Sequence, residues 1–136
     1  MQLDRVIETC LYVDDLDRAA TFYEKVLGLT LLTSDARFRA YDVGGKSVLL
    51  LFRRGTTLQT VHLPGGTIPP HDGQGPLHLA FAVSAEELPR WEARLGEESI
   101  AVEGRTHWMR GGRSIYFRDP DGHLLELASP GLWSTY

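Results

Sequence analysis

The chain has 136 residues, a single cysteine, a formal net charge of -4 and a pI near 5.7, which suits one ordinary domain or two small modules sharing a core. With Cys10 alone no intramolecular disulfide can form, so a reducing, cytoplasmic setting is expected. The acidic balance speaks against a nucleic-acid partner, charged residues break up any signal-peptide core in residues 1–25, and no uncharged apolar run approaches the ~18 residues of a membrane span.

In chain order, VIETCLYV (6–13) reads as a strand. Leu16, Ala19, Phe22, Tyr23, Val26 and Leu27 then follow helical spacing up to Gly28, a residue type that commonly ends helices. Extended segments are expected at 29–33, 37–43 and 47–53, with Gly44-Gly45 turning the last pair. The second half repeats that order. PLHLAFAV (76–83) is a strand and 85–96 a helix with Leu88, Trp91 and Leu95 on one stripe. Extended segments follow at 99–103, 113–118 and 123–128, the last two joined by the DPDG turn.

The two halves superpose. Ile7 to Val13 aligns with Leu77 to Val83, and RAYDVGGKSVLLLF (39–52) aligns without gaps on SIYFRDPDGHLLEL (114–127), placing Tyr41 on Tyr116. A repeated unit that cannot bury its own sheet predicts pairing of two units. The expected organisation is one domain over 1–136. Module one covers about 1–53, a linker or flap about 54–76, module two about 77–128, and an aromatic tail 129–136.

VIETCLYVDDLDRAATFYEKVLGL, PLHLAFAV and SIYFRDPDGHLLEL together resemble the vicinal oxygen chelate superfamily of glyoxalases, bleomycin-resistance proteins and dioxygenases. The resemblance implies an α+β fold of paired βαβββ modules, with curled mixed sheets around a metal-binding cavity. It implies ligands on the first and last strands of each module, carried over to Glu8, His78 and Glu126. The fourth position falls on apolar Leu51, give or take one or two residues. The implied cofactor is one divalent ion per site: Mn, Fe, Co, Ni or Zn. Glu8 is either a ligand or a general base beside the metal, and Glu126 is the other carboxylate expected in catalysis.

Strand alternation supports the carry-over. Glu8, Cys10 and Tyr12 share one face of their strand, as do His78, Ala80 and Ala82, and Leu124 with Glu126. A carboxylate within so apolar a strand is costly unless it is paired or metal-bound. Two carboxylates and a neutral imidazole balance a 2+ charge and leave open positions on the ion. Arg113, Ser114, Tyr116, Tyr12 and Arg53 are the expected substrate-binding residues. HWMRGGRSIYF (107–117) resembles the segment that receives phosphonate in fosfomycin-resistance relatives. His62, His71, His107 and His123 read as non-ligands, His123 at the surface, although His71 in the flap is able to reach substrate.

The resulting expectation is a metal-dependent lyase or isomerase of glyoxalase type, acting on a small oxygenated substrate as a homodimer. The alternatives are a drug- or metabolite-sequestering protein, a fosfomycin-type transferase or hydrolase, and a dioxygenase.

Overall fold

In the computed structural model, which describes all 136 residues, the alternating apolar run near the N-terminus forms β1 (Glu8–Val13). Leu11 and Val13 point into the core, while Glu8 is exposed. Asp15 starts helix α1 (Leu16–Ala20): its carboxylate accepts the N–H groups of Asp17 and Arg18 at 2.9 and 3.0 Å. The helix continues as a π-helical stretch (Thr21–Val26), in which the Leu27 N–H reaches the Phe22 carbonyl at 3.2 Å. This departs from the uniform α-helix that the spacing predicts. The wider turn lets Phe22, Tyr23 and Val26 all bury on one side before Gly28, at φ 70°, ends the helix.

Three strands complete the first sheet: β2 (Thr30–Ser34), β3 (Phe38–Val43) and β4 (Ser47–Arg53). Their order is β1-β4-β3-β2, with β1 parallel to β4 and the other pairs antiparallel. The helix covers one face, where Tyr41, Leu49 and Leu51 are buried and the Tyr41 hydroxyl donates to Glu24 at 3.0 Å. A short hairpin, β5 (Val61–Leu63) and β6 (Gly66–Ile68), follows within the same compact unit, Met1–Gly75.

The second unit, Pro76–Tyr136, repeats the topology. β7 (His78–Ala82), β8 (Gly104–His107), β9 (Arg113–Arg118) and β10 (Leu124–Ala128) lie in the order β7-β10-β9-β8, again with one parallel pair at β7 and β10. Helix α2 (Leu88–Glu97) buries Leu88 and Leu95. Its entry is held by Ser84, whose hydroxyl accepts the Glu87 N–H and donates to the Glu87 carboxylate. β8 starts later than the expected 99–103: Ser99 adopts φ 59° and the Ile100 N–H returns to the Leu95 carbonyl, so these residues unwind the helix instead of pairing. The fold is therefore α+β, two βαβββ units with mixed, open sheets.

The ladders shift the internal alignment of the hairpins by one residue. Cys10 pairs with Leu50 and the equivalent Ala80 pairs with Glu126, so the first-unit counterpart of Glu126 is Leu50, next to the expected Leu51. By the same register Ala40, opposite Leu50, corresponds to Tyr116, opposite Glu126. Both strands of the hairpin shift together, so the two hairpins still superpose without a gap, one residue away from the sequence alignment.

His123 is the clearest departure from expectation. It is fully buried, and its Nδ1 accepts the Leu77 N–H at 2.9 Å. The Asp119 carboxylate folds this turn inward by accepting the N–H groups of Asp121 and His123. The tail docks on its own unit, with the Tyr136 hydroxyl against the carbonyls of Val83 and Ala128.

Candidate metal centre and ligand pocket

In the second unit, β7 and β10 bring His78 and Glu126 together, with His78 Nε2 3.2 Å from Glu126 Oε2. Glu126 is almost completely buried at 4% exposure, whereas the His78 side chain is 51% exposed. The Tyr116 hydroxyl, on neighbouring β9, donates to Glu126 Oε1 at 3.2 Å. On the other side of the imidazole, His78 Nδ1 lies 3.0 Å from the Leu124 carbonyl. A carbonyl oxygen only accepts, so Nδ1 carries a proton.

That tautomer leaves Nε2 facing a carboxylate. Lone pair against carboxylate is repulsive, so the contact needs either a proton on one of the two groups or a metal ion between them. Two donors about 2.1 Å from a common ion and roughly 100° apart stand about 3.2 Å from each other. The observed separation meets that requirement. A histidine whose distal nitrogen is fixed by a backbone carbonyl, beside a carboxylate held by a tyrosine, is also the outer arrangement that orients metal ligands. The donor set therefore fits a divalent ion, although no third His, Cys, Asp or Glu stands beside the pair within this unit.

In the first unit, Glu8 is the first residue of β1, exposed and paired in register with Val48. It shares with Cys10 the sheet face opposite the helix, and both line a pocket of about 720 Å³. The rest of the first sheet lines it with Phe38, Leu50 and Phe52, and residues 57–71 of the hairpin segment close the other side. Burial pushes the Cys10 thiol up, and the charge of Glu8 adds to the shift, so Cys10 stays a protonated wall group and not a thiolate nucleophile.

The other expected residues are placed as follows. Tyr12 is buried beneath the hairpin segment, its hydroxyl 2.5 Å from His71 Nδ1. Ser114 is buried and accepts the Trp108 indole N–H at 2.8 Å. The Arg113 guanidinium donates to the Ala85 carbonyl at 3.0 Å. Arg53 ends β4 exposed, on the same strand parity as Leu49 and Leu51 and opposite the pocket-lining Leu50 and Phe52. The structure thus joins His78, Glu126 and Tyr116 in one cluster, and Glu8, Cys10 and His71 on one pocket. Thr57 and Phe52 escaped the sequence reading, since neither type signals chemistry by itself.

Comparison with known proteins places the sequence and the fold. The family model of the glyoxalase/bleomycin resistance protein/dioxygenase superfamily matches residues 3–127. Metallothiol transferase FosB of Bacillus licheniformis is 33% identical over 116 residues, covering 85% of this chain and 68% of that protein. FosB of Staphylococcus epidermidis is 31% identical over 128 residues, covering 93% and 82%. A crystal structure of a lactoylglutathione lyase from Agrobacterium tumefaciens superposes with a TM-score of 0.89 at 31% identity, covering 98% of this chain and 99% of that one. Repeat, sheet order and sequence agree: the chain belongs to the glyoxalase/bleomycin resistance protein/dioxygenase superfamily.

Proposed function

We propose that this protein is a metal-dependent enzyme, a lyase or isomerase of glyoxalase type acting on a small oxygenated molecule. The observation that carries the reading is the His78–Glu126 pair, whose fixed tautomer calls for a proton or a metal ion at that contact. His78 and Glu126 would hold the ion, with Glu8 as third ligand or as general base. In this reading the protein works in the cytoplasm as a homodimer.

A bound divalent ion would supply Lewis acidity toward vicinal substrate oxygens. The residues do the rest. Tyr116 keeps the Glu126 carboxylate oriented, and Leu124 keeps His78 Nε2 available. The exposed carboxylate of Glu8 is suited to take a proton from the carbon beside a substrate carbonyl and return it to the neighbouring carbon. The electron pair of the broken C–H bond becomes a carbon–carbon double bond as the carbonyl π pair moves onto its oxygen. When the former carbonyl carbon takes the proton, the hydroxyl on the first carbon passes its own proton to that oxygen and becomes the new carbonyl.

Thiol transfer to fosfomycin is the second reading, favoured by similarity to two FosB proteins. Against it, Arg113, the residue expected to meet a phosphonate, has its guanidinium on the Ala85 carbonyl. An assay of the metal-loaded protein on glutathione–α-ketoaldehyde hemithioacetals, and on fosfomycin with thiols, separates the two. The leading reading predicts turnover of the hemithioacetals that chelator abolishes and metal restores, and turnover of fosfomycin alone would replace it.

A further inference from the structure

The first-unit pocket has walls of Phe38, Leu50, Phe52, Val61 and Ile68, and a volume of about 720 Å³ that is typical of small-molecule sites. Its polar end is built around His71. Thr57 donates its single hydroxyl proton to the His71 carbonyl at 2.5 Å, and the His71 N–H returns to the Thr57 carbonyl at 3.0 Å. The Tyr12 hydroxyl stands 2.5 Å from His71 Nδ1, a contact in which Tyr12 donates when the ring proton is on Nε2. Burial pushes the Tyr12 phenol up, so the hydroxyl keeps the proton that it can give to Nδ1.

With Nδ1 accepting, the proton of the neutral ring sits on Nε2. The ring plane is also held: Phe52 meets it edge-on at 5.0 Å. A Cβ on Gly73 would fall 2.5 Å from the Tyr12 ring, so the backbone after His71 rests directly on that ring. A histidine oriented this firmly at an apolar pocket is arranged to donate.

We propose that His71 is the polar anchor of this pocket, giving its Nε2–H to the oxygen of a flat, largely apolar, uncharged carbonyl compound. Charge decides against anions. Glu8 lines the pocket, and the only cationic lining residue, Arg37, is paired with Asp35 at 3.3 Å. The inference names an occupant for this pocket alone and does not rest on the reading of the metal centre.

The test is an NMR titration of the ¹⁵N-labelled full chain, in chelator, with acetophenone, ethylbenzene and phenylphosphonate. Acetophenone is expected to bind best, shifting the amides of Leu50, Phe52, Ile68 and His71. His71→Leu should weaken acetophenone about 3- to 10-fold and leave ethylbenzene unchanged, the size of one neutral hydrogen bond. Long-range ¹H–¹⁵N spectra should show the Nε2–H tautomer of His71, and a mixture in Tyr12→Phe, which keeps the ring that supports Gly73. Tighter binding of phenylphosphonate, equal losses for both neutral probes, or an Nδ1–H tautomer would each overturn the proposal. Because the titration runs without metal, a failed metal site leaves its outcome intact.

Discussion

At the scale of residues, position on a strand does more than residue type. His78 and His123 lie at the same end of the parallel β7–β10 pair, yet one presents Nε2 to a carboxylate and the other fills the core by accepting a backbone N–H. Tyr116 holds the carboxylate of the pair, so Tyr116→Phe should weaken metal affinity about 10-fold. Competition against a chromophoric chelator would measure it, and unchanged affinity would remove Tyr116 from the site. Asp15 gives a pH signature. Its hydrogen bonds from the Arg18 and Asp17 N–H groups hold its carboxyl below the ordinary carboxylate range. A group depressed on folding stabilises fully above its unfolded value and loses that contribution as pH falls through the folded one. Asp15→Asn, which keeps the cap, should flatten the acid limb of melting temperature against pH while changing neutral stability little.

At the scale of elements, the succession of strands along the chain and the repeat were legible because alternation and turn residues coincide at β1, β4, β9 and β10. What escaped was fine register. Equal spacing of apolar residues cannot distinguish Leu50 from Leu51 when both neighbours are leucine, nor an α-turn from a π-turn when Phe22 and Tyr23 are adjacent and both bury. Energetics does distinguish the leucines. Leu51 is fully buried under the helix, and Leu50 is only half-buried at the pocket. Leu51→Ala should cost about 3 kcal/mol and Leu50→Ala clearly less. Urea unfolding of both variants checks this, and equal costs would mean the register is wrong.

For the whole molecule, strand alternation put His78 and Glu126 on one face of neighbouring strands, and the structure sets them 3.2 Å apart. The His71 network was not legible, since its members Tyr12, Thr57 and His71 are far apart in sequence and meet only through the hairpin segment. No helix is long and apolar enough to cross a membrane. The proposed homodimer should appear as a single dimeric species in sedimentation at micromolar concentration, and a monomer there would contradict it. The central claim is the ion at His78 and Glu126, and elemental analysis of the purified protein beside Glu126→Ala addresses it most directly. About one divalent transition metal per chain, lost in the variant, is the predicted result. Negligible metal in both would reduce the pair to a proton-held contact and contradict the account.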